Sequence, residues 1–296
     1  MREVKWFSQL CEDIKSLNIQ GAEQVARAAV KGVARLKAER PDENLAPYVK
    51  FLFATRPTEP MMRNAVEFFL AHADERNRDQ VLGLVIDRIE EANSRIAEYA
   101  AGLVRTGGVY FTHCHSSTVT HALIAAHKEG KRFAVHNTET RPLYQGRRTA
   151  AELAAEGIPV VHYIDSATRV GLRGCAAVFI GADALLADGK VANKIGSEMV
   201  AELAFNRDIP VYVLASSWKF DLATSRGYKE ALERRPPSEV WPDAPPGVTI
   251  KNDAFELVKP KYVTAIITEL GIRDPASAIT AIKKAGRMRS TDEKNS

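Results

Sequence analysis

The feature that most constrains this chain is a change of hydrophobic period near Gly107-Gly108. Before it, apolar residues recur at three- and four-residue steps, the spacing that gathers them on one face of a helix. Val4, Phe7, Leu10, Cys11, Ile14 and Leu17 form one such stripe. Val25, Ala26, Ala29, Val30 and Val33, between Gly21 and Leu36, form a second whose small residues permit close helix packing. The pattern continues through 60–73 and 80–104, the latter carrying Leu82, Val85, Ile86, Ile89 and Ile96. Arg56-Pro57-Thr58-Glu59-Pro60 interrupts it, because proline lacks a backbone donor and restricts the residue before it. After Gly108 the chain turns to short apolar runs at 109–111, 132–136, 159–163, 176–180, 210–214 and 263–268. Helical patterns at 116–128, 147–155, 166–173 and 194–206 lie between them, and a last one covers 275–284. Strand–helix alternation at this spacing predicts parallel crossovers and a doubly wound, mostly parallel sheet. The fold class is therefore α/β, with a helical N-terminal domain over 1–105 and the sheet domain over 106–286. The Pro-rich stretch 234–247 reads as a surface excursion, and the polar residues 287–296 as a disordered tail.

Composition narrows the setting. Of 296 residues, 45% are hydrophobic, yet no apolar stretch approaches the roughly 20 residues of a membrane span. The opening Met1-Arg2-Glu3-Val4-Lys5 mixes charges before any apolar run, so no signal peptide is expected. Cysteines at 11, 114 and 175 fit neither a disulfide framework nor a zinc-ribbon spacing, and a reducing cytoplasm is the expected compartment. The formal charge of +4 is spread along the chain without a basic block, so no direct nucleic-acid partner is expected.

In an open parallel sheet, ligands bind outside the carboxyl ends of the strands. The first predicted strand ends in Thr112-His113-Cys114-His115-Ser116-Ser117, and the second in Asn137-Thr138-Glu139-Thr140-Arg141-Pro142. Gly181-Ala182-Asp183 follows 176–180, and Ser216-Ser217-Trp218-Lys219 follows 210–214. If these strands are parallel, the four clusters meet on one edge. Cys114 stands where a strand hands over to a helix N-terminus, whose partial positive charge favours a thiolate. Such a cysteine can take a proton from carbon, although a buried thiol can also serve only as a small hydrophobe. Cys11 and Cys175 lie in apolar patterns and read as packing residues. His113, Cys114 and His115, on an extended chain, point to opposite faces, so no metal site is expected there. Asp183, after an apolar strand, reads either as a partly desolvated acid–base group or as a turn aspartate. Asn193-Lys194-Ile195-Gly196-Ser197 opens a helix whose amides, with the lysine, can hold a phosphate. No Gly-x-x-x-x-Gly-Lys-Ser/Thr loop and no Gly-x-Gly-x-x-Gly follows the first strand, which argues against nucleotide hydrolysis and Rossmann hydride transfer.

These segments resemble a known superfamily. It unites the regulatory subunits of translation initiation factor 2B with methylthioribose-1-phosphate isomerase and ribose-1,5-bisphosphate isomerase. The resemblance is carried by Thr-His-Cys-His-Ser-Ser (112–117), Thr-Glu-Thr-Arg-Pro-Leu-Tyr-Gln-Gly-Arg (138–147), Asp-Ser-Ala (165–167) and Gly-Ala-Asp (181–183). Asn-Lys-Ile-Gly-Ser (193–197), Trp-Lys-Phe-Asp (218–221) and Ile-Ile-Thr-Glu-Leu-Gly (266–271) extend it. It implies a helical domain followed by a Rossmann-like one. It also implies an enzyme, because the isomerases carry the cysteine and the aspartate found here as Cys114 and Asp183. Phosphate and sugar contacts carry over to Gly21, Ala22, Arg56, Ser116, Ser117, Thr118, Asn193, Lys194 and Lys219. The implied reaction is an aldose–ketose isomerisation, ribose 1,5-bisphosphate to ribulose 1,5-bisphosphate, with Cys114 and Asp183 as the acid–base pair and without a metal or redox cofactor. The implied partners are the sugar phosphate, a nucleotide activator and further copies of the chain in a dimer or hexamer. The alternative within the resemblance is a regulatory subunit that binds a nucleotide or sugar phosphate and contacts initiation factor 2.

Overall fold

The computed structural model describes residues 4–228 and 232–291. These divide into two compact units, one ending at Ala92 and one beginning at Asn93.

The first unit is helical: α1 (Lys5–Lys15), α2 (Ala22–Glu39), α3 (Ala46–Thr55), α4 (Pro60–His72) and the start of α5 (Arg78–Leu103). The predicted stripes are the buried faces. Phe7, Cys11 and Ile14 of α1 are buried, as are Val25, Ala26, Ala29, Val30, Val33 and Leu36 of α2. Small residues let α1 and α2 approach closely, since a side chain at Gly32 would overlap Leu10. The break after Arg56 falls between α3 and α4, with Pro60 at the first position of α4, where its missing N–H costs nothing. α3 itself carries no stripe and no stripe predicted it.

The second unit is a sheet between helices. Its strands are β1 (Val109–Thr112), β2 (Ala134–Thr138), β3 (Val160–Tyr163), β4 (Ala177–Ile180), β5 (Ala184–Leu185), β6 (Val191–Lys194), β7 (Val211–Leu214), β8 (Phe255–Val258), β9 (Ala265–Thr268) and β10 (Gly271–Arg273). Its helices, after the end of α5, are α6 (Ser117–Lys128), α7 (Gln145–Ala155), the single turn α8 (Thr168–Gly171), α9 (Ser197–Phe205) and α10 (Pro275–Thr291). The main sheet has seven strands in the order β10-β9-β7-β4-β1-β2-β3. All its pairings are parallel except β9 with β10. Each of the six predicted runs overlaps one of its parallel strands, although β1 runs on to Thr112 and β2 to Thr138, residues expected to lie beyond the strand ends.

Helices on both faces explain why the strands read as continuous apolar runs. Successive residues alternate between two cores. Phe111, Val178, Ile180, Val213 and Ile266 pack with Val200 and Ala204 of α9 and Ile279 of α10. Tyr110, Ala177, Phe179, Leu214 and Ile267 pack on the other side with Ile96 and Ala100 of α5, Val119 and Leu123 of α6, and Leu153 of α7. The last turns of α5 thus belong to the sheet's core, which is why the compact unit begins at Asn93 rather than at the change of period near residue 106.

A second sheet, β5-β6-β8, is antiparallel and has no counterpart in the sequence reading. It corrects the helix expected over 194–206, which starts only at Ser197 because Val191–Lys194 is strand. The helix expected over 166–173 is a 3-10 turn at Asp165–Ala167 followed by α8. α10 continues to Thr291, through the first five residues of the segment expected to be a tail; residues 292–296 lie outside the described residues.

Gly146 shows how tightly the loop after β2 is folded. A Cβ there would overlap the carbonyl oxygen of Thr138, while Asn137 Nδ2 donates to Gly146 O at 2.7 Å. Gly146→Ala is expected to lower stability by about 1–3 kcal/mol through this overlap. Chemical denaturation of the variant measures it.

Candidate active site

The chain order of the strands sets the site. From β1 it winds outward through β2 and β3, then returns to the other side of β1 as β4 before continuing to β7 and β9. The switch point of the sheet lies between β1 and β4, where two connections leave in opposite directions and open a crevice. Cys114 lies two residues beyond β1 and Asp183 three residues beyond β4. The two loops touch, since a side chain at Gly181 would stand 2.7 Å from Ser116. Asp183 lies near enough for its charge to act on the Cys114 thiol.

Cys114 is buried, with a backbone φ of 66°. It is therefore not part of an extended chain, and the flanking histidines diverge for a different reason than alternation. His113 Nε2 lies 2.8 Å from Ile195 O, and its Nδ1 lies 2.6 Å from Thr138 Oγ1. A carbonyl only accepts, so Nε2 carries the proton. Burial holds His113 below the usual histidine range, leaving Nδ1 to accept from the Thr138 hydroxyl. His115 turns instead to Thr149, with Nδ1 3.1 Å from Oγ1.

The expected activation of the thiol by the helix terminus is corrected by the structure. Cys114 is pushed up from 9.0 to about 11, chiefly by burial. The nearby Lys194 and the His115 amide act in the opposite direction, while Asp183 and Asp165 add to the rise. Desolvation outweighs the helix end, and the resting group is a thiol. Cys11 and Cys175 are also buried and raised, to about 12 and about 11.

The small sheet brings the lysine in. β5 starts directly after Asp183 and pairs with β6, and the Asp183 amide donates to Ala192 O at 2.9 Å. Asn193 and Lys194, at the end of β6, are thereby held beside Asp183. Ile195 and Gly196 run against His113, whose Nε2 would stand 2.8 Å from a side chain at 196. Lys194 is buried, with Nζ 5.3 Å from the centroid of the Phe255 ring. Among the described residues it has no hydrogen-bonding partner. With its stem buried and its ammonium bonded to no acceptor among them, Lys194 is placed to meet an anion that enters the crevice.

Two helix N-termini were candidates for that anion, and the structure separates them. At α9 the amide of Glu198 already donates to Glu256 Oε1 at 2.8 Å. That carboxylate caps the helix in place of a phosphate, so the amide cradle expected at 193–197 is occupied by the chain itself. At α6, Ser116 is the N-cap and its Oγ accepts from Val119 N at 3.4 Å. The amides of Ser117 and Thr118 ahead of it are not drawn into hydrogen bonds among the described residues, and they face the same strand ends.

Lys219 is buried in the turn after β7 and donates from Nζ to Ala182 O at 2.6 Å. One of its three donors thus fixes the loop bearing Asp183. Asn193 Nδ2 donates to Ser197 Oγ at 2.8 Å. The structure therefore brings together Cys114, Ser116, Ser117, Thr118, Asp183, Asn193, Lys194 and Lys219 on one edge of the sheet. Gly21, Ala22 and Arg56 belong to the first unit. Gly21 has φ 86° at the start of α2, Ala22 is buried, and Arg56 is buried with its guanidinium 3.6 Å from Glu59 Oε1.

Several residues of the site carried no role in the sequence reading. Thr140 Oγ1 accepts from the Cys114 amide at 3.0 Å, and Thr149 Oγ1 donates to the Cys114 carbonyl at 2.9 Å. Asp165 accepts from the amides of Thr140 and Arg141 at 2.9 and 2.7 Å. Glu269 accepts from the amide of Ser217 at 3.0 Å and also takes its hydroxyl, anchoring the turn that carries Lys219. Thr140, Asp165 and Glu269 lie within the matched segments, but as ordinary polar loop residues they gave no sign of what they hold.

A thiol and a carboxylate at the switch point of a doubly wound sheet, beside a buried lysine, define a small-molecule site suited to anionic ligands and proton transfer. Comparison with known proteins places the chain more narrowly. The model of the initiation factor 2 subunit family matches residues 18–275. The ribose 1,5-bisphosphate isomerase of Thermococcus kodakarensis is 34% identical, over 96% of both chains. The methylthioribose-1-phosphate isomerase of Pelotomaculum thermopropionicum is 35% identical, over 91% of this chain and 83% of that protein. Among solved structures, translation initiation factor eIF-2B from Pyrococcus horikoshii matches with a TM-score of 0.84 and 29% identity, covering 94% of this chain and all of that one. The 5-methylthioribose 1-phosphate isomerase of the same organism matches with a TM-score of 0.73 and 26% identity, covering 94% of this chain and 88% of that one. The chain belongs to the initiation factor 2 subunit family, which includes sugar-phosphate isomerases.

Proposed function

We propose that this protein is a sugar-phosphate aldose–ketose isomerase, and that its substrate is ribose 1,5-bisphosphate, converted to ribulose 1,5-bisphosphate. The observation that carries the reading is the meeting of Cys114 and Asp183 at the switch point beside Lys194, which has no hydrogen-bonding partner among the described residues. The near-full-length likeness to ribose 1,5-bisphosphate isomerases supports the choice of substrate.

The C1 phosphoester blocks the free aldehyde that an ordinary aldose isomerase uses, so the ring has to open within the site. Asp183, as the acid, gives a proton to the ring oxygen. Cys114, as thiolate, removes the proton on C2, and the electron pair forms the C1–C2 double bond of a phosphoenolate as the bond from C1 to the ring oxygen breaks. The proton on sulfur then passes to C1, while the C2 hydroxyl returns a proton to Asp183 and becomes the ketone. Both residues end as they began. The reactive state, thiolate with carboxylic acid, carries the same charge as the resting state, thiol with carboxylate. The pair thus shares one proton, and the nearby Lys194 lowers the thiol against the burial that raises it. Lys194 and the α6 amides of Ser117 and Thr118 hold a phosphate in this scheme, and Lys219 and Asn193 keep the Asp183 and Lys194 loops in register.

A second reading is favoured by the likeness to the structure described as eIF-2B: a regulatory subunit that binds a sugar phosphate or nucleotide without turning it over. Incubation with ribose 1,5-bisphosphate, followed by 31P and 13C NMR, separates the two. Accumulation of the 2-ketose supports the isomerase; saturable binding with no ketose supports the regulatory reading. Methylthioribose 1-phosphate in a parallel reaction is expected to turn over at least about tenfold more slowly, because it lacks the second phosphate.

A further inference from the structure

Cys114 is an L-residue held at φ 66°, a backbone conformation that side chains other than glycine seldom adopt without support. The support comes from two hydroxyls on different segments. Thr140 Oγ1 takes the Cys114 amide at 3.0 Å, and Thr149 Oγ1 binds the Cys114 carbonyl at 2.9 Å. Both threonines are buried, so water does not offer the same bonds. Thr140 is itself left-handed, at φ 61°, and its turn is closed by the Asp165 carboxylate, which receives the amides of residues 140 and 141 at 2.9 and 2.7 Å. A line of hydrogen bonds thus runs from Asp165 through Thr140 to the backbone of Cys114. In this conformation the sulfur receives the His115 amide and lies in the field of Lys194.

We infer that Thr140 is a positioning residue for Cys114: by accepting the Cys114 amide, its hydroxyl fixes the left-handed backbone that turns the sulfur toward the His115 amide and the Lys194 side. The inference rests on the proposed isomerase chemistry for its consequence in rate, but not for the contact itself. Thr149 completes the hold from the carbonyl side.

Thr140→Val removes the acceptor, together with the 3.4 Å contact from Oγ1 to Thr138 O, while keeping the β-branch. Thr140→Ser keeps the hydroxyl. With ribose 1,5-bisphosphate, kcat of the valine variant is expected to fall about 10- to 100-fold, the cost of a small misplacement of a reacting group, with KM within about twofold. Exchange of the Cys114 amide hydrogen, followed peptide by peptide by mass spectrometry, is expected to speed up at least about tenfold in the same variant. The serine variant is expected to restore most of both. A valine variant with wild-type kcat overturns the inference, as does one whose kcat and melting temperature fall together without rescue by serine. Should the wild-type protein turn over no sugar phosphate, the isomerase reading fails, and the exchange measurement decides alone: unchanged protection of the Cys114 amide overturns the clamp, and its loss supports it.

Discussion

Cys114→Ser is expected to lower kcat by about 10³- to 10⁴-fold with little change in KM, the cost of removing a general base from a proton transfer at carbon. A serine hydroxyl fills nearly the same space but does not ionise in any accessible range. The two threonine contacts reach the backbone at position 114, so they persist in the variant and the fold is expected to survive. Steady-state kinetics and circular dichroism check both halves. A second consequence follows from linkage. The folded protein raises Cys114 from 9.0 to about 11, so the neutral thiol contributes stability that is complete below pH 9 and is lost as pH rises through 11. That contribution is on the order of 2–3 kcal/mol. The serine variant is expected to lose less stability than the wild type between those two values in denaturation measured at pH 8, 9.5 and 11. The buried Cys11 and Cys175, raised in the same way, keep part of the decline in both proteins.

Asp183→Asn is the second large effect. Asparagine keeps the shape of the side chain but has no proton to give the ring oxygen, and kcat is expected to fall about 10³-fold or more. The same change acts on the cysteine in the opposite sense. Asp183 raises the Cys114 thiol by its charge, so removing that charge lowers the thiol. Alkylation of Cys114 by iodoacetamide at a fixed pH near 8.5 is therefore expected to be faster in the variant than in the wild type. Lost turnover together with a more reactive sulfur distinguishes a missing acid from general damage to the site, which would leave the sulfur unchanged or scrambled. Equal alkylation rates would contradict the electrostatic link between the two residues.

The middle of the central sheet was legible in the sequence because β1, β4, β7 and β9 are covered on both faces. Runs such as Ala177-Val178-Phe179-Ile180 have no polar residue to confuse the period, and each residue finds a core on one side or the other. The edge on which the chemistry gathers followed from parallel connectivity, which put Cys114 and Asp183 at neighbouring strand ends. The small sheet was not legible. β5 has two residues, and β6 ends in Asn193-Lys194, which resembles the polar approach to a helix more than a strand. Its pairing with β8 spans sixty residues of chain, and no local signal reports that. The same reason hid Glu256, which caps α9 from a distance and closes the amide cradle that local spacing offered. The left-handed turn at Cys114 was hidden as well, because threonine hydroxyls 26 and 35 residues away hold it. Burial of the thiol likewise belongs to the folded chain and not to its local sequence. A helix end favours the thiolate, but desolvation, set by everything packed around Cys114, outweighs it.

A double-variant cycle bears most directly on the claim that one thiol and one carboxylate exchange a single proton across the same sugar carbons. Residues that act as a unit give losses that do not multiply. In single-turnover assays with ribose 1,5-bisphosphate, Cys114→Ser combined with Asp183→Asn is expected to be slower than the worse single variant by no more than about threefold. A double variant whose loss equals the product of the two single losses would show independent roles and contradict the shared proton.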